Sequence, residues 1–343
     1  MFNAIYNQGA VTGSITINSN NIGNGTGGPI TFSGVVNGTA QIYLRNFGGA
    51  ATAALTITSN NFQGITYGTA PTGAHTMIVN SATTLSQTIT GNTFTNLNVN
   101  LDANFVFIND NVPVSATGFQ NVSSNSIVTA FTKSAATTST VTLFTSTTQP
   151  SASGAVFTHS NNNFSNITVT GATTVAGWVV TDSGTGAHTI SGNTFSNWTG
   201  GTSPLTAIST NLAGASSVSS NAINTISGGG TVTAMASAGV EGLSQNNIHT
   251  LTSSGAASAV NGVSITAGSG SVFRNKIYDL RSTSATNGTV SGILLVSGAT
   301  LTTTTIYNNY IGDLAHTTVN SATDLRSWYQ HHSYCYSDDQ CIL

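Results

Sequence analysis

The chain has 343 residues, of which 38% are apolar and only 4% are Asp, Glu, Lys or Arg, and its formal net charge is −3. So few charges exclude the basic patch of a nucleic-acid-binding protein, and the apolar share is too high for a disordered Ser/Thr tract. No apolar run approaches the roughly 20 residues of a membrane span, and the N-terminal segment 1–7 has neither the basic nor the apolar region of a signal peptide.

One motif recurs along the chain: an asparagine followed two positions later by Ile or Phe in all ten copies, preceded by an apolar residue three positions before it in nine, and followed by another apolar residue five positions after it in eight. The repeated asparagines lie 25 to 40 residues apart and are Asn20, Asn60, Asn92, Asn125, Asn162, Asn193, Asn221, Asn246, Asn275 and Asn309. Internal repeats of this length are typical of solenoids.

The residues around each asparagine alternate between apolar and polar, as in Ile15-Thr16-Ile17, and this alternation predicts strands. Asn tolerates the left-handed conformation that a sharp corner between strands needs, so we place the repeated asparagines themselves in that conformation. Asn side chains can also hydrogen-bond to one another from coil to coil. The sequence therefore predicts an all-β parallel β-helix of about ten or eleven coils over residues 1–322, with its apolar positions in inward columns.

The repeat resembles the right-handed parallel β-helix coils of the pectin-lyase-like superfamily, and more narrowly those of secreted bacterial proteins that end in a type IX secretion sorting domain. The segments that carry the resemblance are Ser59-Asn60-Asn61-Phe62, Gly91-Asn92-Thr93-Phe94, Gly192-Asn193-Thr194-Phe195 and Ile306-Tyr307-Asn308-Asn309-Tyr310-Ile311. The resemblance implies right-handedness and export to the cell surface or the medium. It transfers no catalytic residue to this chain.

Two outward columns flank the apolar position that precedes each asparagine, and both are rich in hydroxyl side chains. The hydroxyl residues that we place on this surface are Thr16, Thr56, Thr58, Thr88, Thr90, Thr158, Thr189, Ser217 and Ser219. Paired Thr-x-Thr residues resemble the arrays of ice-binding β-solenoids, although hydroxyls on an exposed strand also simply satisfy solvent and stabilise cross-strand pairs.

One charged cluster stands out, because Asp279 and Asp313 both lie four residues after a repeated asparagine and Arg274 and Lys276 are close by. Two carboxylates about 5–10 Å apart are the minimum for glycoside hydrolysis, so these four residues are the only weak catalytic candidates. The competing interpretation, which we favour, is an ion-pair patch on a solvated corner. No catalytic residue, cofactor or metal ligand is assigned.

Residues 323–343 depart from the rest of the chain: they contain both cysteines, Cys335 and Cys341, together with a Trp and two adjacent His. A Cys/His metal site and a polar cap are two interpretations. A third follows from the genetic code, since a one-base shift restores the Ser/Thr/Ile-rich pattern of the body. We therefore interpret these residues as a frameshifted or disordered tail, and the chain as part of a longer parent with further coils or domains.

These observations favour a non-catalytic extracellular scaffold or adhesin-like surface of a secreted bacterial protein, with polysaccharides or cell-surface glycans as partners. A fragment of a polysaccharide lyase or glycoside hydrolase and an ice-binding solenoid stay open as alternatives. Nucleic acid is not an expected partner. Fold alone does not choose among these functions.

Overall fold

The computed structural model describes residues 1–26, 29–32, 40–67, 71–147, 152–182, 184–213, 215–268, 270–284, 286–296 and 303–316. Within these ranges all regular elements are β-strands, and every strand pair is parallel. The chain is a parallel β-solenoid, as the repeat predicted. The tail at 323–343 lies outside the described residues, and the sense of the coil stays a prediction.

Each coil contributes one strand to each of two ten-stranded sheets, so ten coils are described. The first sheet contains Ile5–Asn7, Gln41–Asn46, His75–Asn80, Phe105–Asp110, Ser139–Ser146, Thr173–Asp182, Leu205–Leu212, Val232–Ser237, Ala259–Ile265 and Thr289–Leu295. The second sheet contains Ser14–Asn18, Ala54–Thr58, Ser86–Thr90, Phe119–Ser123, Val156–Ser160, Ala187–Ser191, Ser217–Ser219, Gly242–Ser244, Ser271–Phe273 and Thr305–Tyr307.

The third side of the coil follows the repeated asparagine. Four short strands form one part of it, namely Asn21–Ile22, Asn61–Gln63, Thr93–Thr95 and Ser126–Ile127. Eight strands form the other part, namely Leu97–Val99, Phe131–Lys133, Ile167–Val169, Thr194–Thr199, Ala222–Gly228, Asn247–Ser253, Lys276–Ser282 and Tyr310–His316. We call both parts together the third sheet. A small two-stranded sheet, Ile30–Phe32 with Ile65–Tyr67, is added beside the early coils.

The core consists of the inward columns that the repeat predicted. Phe62, Phe94 and Phe164, each two residues after a repeated asparagine, are at most 1% exposed, and so is Trp198 five residues after Asn193. Phe62 stacks on Phe94 of the next coil with ring centroids 5.3 Å apart. Stacking of these buried side chains on their equivalents in the next coil therefore supplies the hydrophobic contacts that hold neighbouring coils together.

The ten repeated asparagines form one continuous row of hydrogen bonds at the corner between the second and third sheets. Asn60 is typical: its Nδ2 donates to Asn92 Oδ1 at 2.9 Å and to the Ile17 carbonyl at 3.0 Å. Its backbone N–H also donates to Asn92 Oδ1, at 3.0 Å. The same bonds recur from coil to coil up to Asn309.

The placement of the left-handed corner was wrong by one residue. The residue before each asparagine takes the left-handed conformation, with φ between 54° and 66°. These residues are Ser19, Ser59, Gly91, Ser124, Asn161, Gly192, Ser220, Gln245, Arg274 and Asn308. The asparagine itself turns inward instead, because its amide is needed to pair backbone groups that the corner leaves without a strand partner.

Candidate functional site: the hydroxyl rows of the second sheet

The outward face of the second sheet carries two parallel rows of side chains, one from each column predicted above. Strand register places Thr56 beside Thr88 and Thr58 beside Thr90, and the pairing continues through both rows. Neighbouring coils in a parallel sheet lie about 4.8 Å apart, and alternate residues of a strand about 6.6 Å apart. The rows therefore form a regular two-dimensional array of hydroxyl groups.

The first row begins at Thr16 and includes Thr56, Thr88, Asn121, Thr158, Thr189 and Ser217. The second row begins at Asn18 and includes Thr58, Thr90, Ser123, Ser160, Ser191, Ser219 and Ser244. It ends where Phe273 stacks on Tyr307, with parallel rings 5.0 Å apart. The aromatic pair closes the array at the ninth and tenth coils.

Within the described ranges, the hydroxyls of Thr56, Thr58, Thr88 and Thr90 have no hydrogen-bond partner in the protein, and the four side chains are half-buried. In the next coils Ser123 instead bonds to Ser160 at 3.0 Å and to the Asn121 side chain. β-Branched Thr has few χ1 rotamers. The early Thr hydroxyls are thus ordered, accessible and free to bond to something outside the chain.

Of the four weak catalytic candidates, the structure brings Asp279 and Asp313 together through one arginine. Arg281 lies between the two carboxylates: its Nε donates to Asp279 Oδ1 and its Nη2 to Asp313 Oδ2, both at 2.7 Å. Lys276 points elsewhere, with its ammonium 4.7 Å from the centre of the Tyr278 ring. Arg274 occupies the left-handed corner position before Asn275. The arrangement is an ion-pair patch on the solvated third sheet.

Asp279 and Asp313 also have a structural reason to be where they are. Both take left-handed backbone conformations, with φ of 54° and 49°, at a second corner that lies four residues after the repeated asparagine and is occupied in earlier coils by Gly64, Asn96, Asn166, Asn197, Thr225 and Thr250. Asp and Asn are the side-chain-bearing residues that best tolerate this conformation. The position that Asp279 and Asp313 share is therefore a recurring left-handed corner of the coil.

We expect Arg281→Gln to lower the free energy of unfolding by less than about 1 kcal/mol, because exposed ion pairs contribute little. Arg281, Asp279 and Asp313 are 40%, 27% and 57% exposed. Thermal unfolding of this variant beside Arg274→Gln, which removes an exposed Arg outside the patch, measures the difference. A loss well above that of Arg274→Gln would show that the patch has a larger structural role.

Three of the six carboxylates of the body are inside the coil, which alternation alone did not reveal. Asp110 and Glu241 are fully buried and Asp182 is 7% exposed. Glu241 accepts hydrogen bonds from the hydroxyls of Thr210 and Ser237, and Asp182 pairs with His188 Nε2 at 2.8 Å. Their hydrogen-bond partners hold them in the interior, where a polymeric substrate cannot reach them.

His75 and His188 lie on different sheets and do not converge on one point. His75 lies on the first sheet, where its Nδ1 bonds to the hydroxyls of Tyr43 and Tyr67 at 2.9 and 3.0 Å. Burial lowers the pKa of His75 to about 4, so its ring is neutral at pH 7. His188 lies on the second sheet, stacked on Phe157. No group of three or more His, Cys, Asp or Glu residues in the described part of the chain could hold a metal ion.

Comparison with protein-family models, with curated proteins and with solved structures finds no match to this chain. Within the described ranges, no helix has the length and apolarity to cross a membrane.

Proposed function

We propose that this chain is a non-catalytic extracellular scaffold, the adhesin-like surface of a secreted bacterial protein, and that its hydroxyl-bearing second sheet contacts glycans. The observation that carries the proposal is the pair of in-register rows, in which Thr56, Thr58, Thr88 and Thr90 present hydroxyls without a protein partner. Hydroxyl groups can both donate and accept, so they match the hydroxyls of a sugar polymer.

A rigid array suits a weak, repeated contact. Each hydroxyl pair adds little binding free energy on its own, but the strands hold all of them in one geometry, so little conformational entropy is lost on binding. Many equivalent sites along one rod also increase the effective concentration of the next contact. The proposal includes membership of the pectin-lyase-like superfamily, secretion and a type IX sorting domain in the parent protein. The three-sided parallel coil supports the superfamily part of the proposal.

The test is retention of the protein on microcrystalline cellulose, chitin and polygalacturonate. We expect at least one glycan to retain it, and the double substitution Thr58→Tyr with Thr90→Tyr to weaken retention about tenfold, which is about 1.4 kcal/mol. Thr142→Tyr is the matched control, because Thr142 faces outward on the first sheet and is also half-buried. The proposal fails if no glycan retains the protein, or if the double variant and the control behave alike.

Ice binding is a second candidate, and one observation favours it: the two complete Thr-x-Thr pairs lie in consecutive coils and in register. Ordered threonines at fixed spacing would arrange water in a regular layer. The same double variant separates the two functions. Ice binding requires thermal hysteresis that bulky residues at Thr58 and Thr90 abolish, whereas glycan binding requires none.

A further inference from the structure

A second row of amides runs inside the coil, at the end of the first sheet, and is buried from Asn46 onwards. Asn7 Nδ2 donates to Asn46 Oδ1 at 2.7 Å, Asn46 Nδ2 to Asn80 Oδ1 at 2.9 Å, and Asn80 Nδ2 to Asp110 Oδ1 at 2.8 Å. The row of ten asparagines contains no ionisable member, but this one ends in a carboxyl group. We call it the Asp110 row.

A second chain of buried polar groups lies next to Asp110. Gln120 Nε2 donates to Gln87 Oε1 at 3.0 Å, and Gln120 Oε1 lies 2.7 Å from His159 Nε2. The Trp178 indole N–H donates to His159 Nδ1 at 3.2 Å. An indole nitrogen is only a donor, so Nδ1 of His159 must accept and Nε2 must carry the proton. The ring is therefore held in one neutral tautomer.

Asp110 is fully buried, and its Oδ2 has no hydrogen bond within the described residues. Burial raises the pKa of Asp110 from 3.8 to about 7, although the amides of Asn80 and Gln120 act in the opposite direction. On the far side of Gln120 lies His159, whose ring is neutral, and beyond it lies the Asp182–His188 pair. No Lys or Arg of the described ranges forms an ion pair with Asp110.

We propose that the Asp110 row is a proton-linked element of the fold: Asp110 keeps its proton in the folded coil, so the coils around it become less stable as the solution turns from acidic to neutral. The physical reason is that an amide row tolerates a neutral carboxyl at its end, whereas a carboxylate there has lost its hydration without gaining a cation.

The sign follows from proton binding in the two states. Between about pH 4 and pH 7 the folded state holds the Asp110 proton and the unfolded state does not, so unfolding releases a proton. The contribution of Asp110 to the free energy of unfolding is fully present below pH 4 and is lost as the pH rises towards 7. Buried His159 and His75, whose pKa values are lowered, act oppositely, because acid favours their protonation in the unfolded chain. The contribution of Asp110 must therefore be measured as a difference.

Asp110→Asn supplies that difference, because it extends the amide row without an ionisable group. Chemical unfolding of both proteins from pH 4 to pH 9 gives the ratio of their unfolding constants, wild type over variant. We expect this ratio to rise about tenfold per pH unit between pH 4 and pH 7, to about a thousandfold in all, and then to level off. Asp313→Asn, at an exposed carboxylate, is the matched control and should show no such rise.

Infrared spectroscopy of the folded wild type gives a second readout that does not depend on the variant being folded. We expect a protonated carboxyl band that persists at pH 6 and disappears as pH rises past about 7, since unburied carboxylic acids lose their protons near pH 4. A ratio that stays flat or falls with pH, or a folded protein without that band at pH 6, overturns the proposal.

Discussion

Asn162→Ala is expected to lower the free energy of unfolding by about 3–5 kcal/mol, since each buried polar group left unpaired costs about 1–3 kcal/mol. Asn162 Oδ1 accepts from both the backbone N–H and Nδ2 of Asn125, each at 3.0 Å. Its Nδ2 donates to the Val122 carbonyl at 2.8 Å and to Asn193 Oδ1 at 2.9 Å. Alanine removes all four bonds from a site that is 1% exposed.

The adjacent Asn163 offers a matched control. It is exposed, and its side chain accepts one local hydrogen bond from Ser165, so Asn163→Ala should cost less than about 1 kcal/mol. Asn162→Asp separates hydrogen-bond direction from shape, because it keeps the size and the acceptor but loses the two donated bonds. At pH 8 it should be less stable than Asn162→Ala, since it also buries a charge. Equal losses at Asn162 and Asn163 in urea unfolding would contradict a stabilising role for the row.

The fold could be predicted because one short motif recurs in every coil. The apolar positions around Asn60 or Asn193 repeat at fixed offsets, and those offsets decide which side chains stack. The conformation of the corner could not be read the same way. The left-handed residue is Ser59 in one coil and Gln245 in another, so its residue type does not identify it. The repeated asparagine does identify the corner, but its side chain turns inward and pairs backbone groups.

The hydroxyl rows could also be predicted, because they lie one residue to either side of the aligned apolar position. The partner of Asp279 and Asp313 was less visible, because only the coordinates show that Arg281 bonds to both carboxylates. Asp110 was missed as a buried group because it ends a first-sheet strand, far from any repeated asparagine. Asp110 has no fixed offset from a repeated asparagine, so the repeat does not show that its side chain points inward.

The burial of Lys133 could not be predicted from the sequence, for a related reason. Strand register pairs it with Val99 in one neighbouring coil and Val169 in the other, so it occupies an apolar column. Lys133 lies eight residues after its asparagine, whereas the two valines lie seven residues after theirs. The extra residue in that coil hides the correspondence from any fixed-offset comparison.

Lys133 is fully buried, and its Nζ donates to the Ala135 carbonyl at 3.0 Å and to Thr173 Oγ1 at 3.3 Å. Burial lowers the pKa of Lys133 to about 8, against the opposing effect of the Asp102 carboxylate. Between pH 8 and about pH 10.5 the unfolded chain therefore binds a proton that the folded chain has lost. The contribution of this lysine to stability is unfavourable below pH 8 and improves as pH rises through that window.

We expect Lys133→Met to raise the free energy of unfolding by about 2 kcal/mol at pH 7, because a side chain of similar length then fills the column without a charge. Urea unfolding at pH 7, 9 and 10 should show the advantage shrinking by up to about 1.4 kcal/mol per pH unit above pH 8. Lys276→Met is the control, since Lys276 is exposed, and its effect should not vary over this range. An advantage of Lys133→Met that is absent at pH 7, or constant to pH 10, would mean that the buried ammonium carries no such cost.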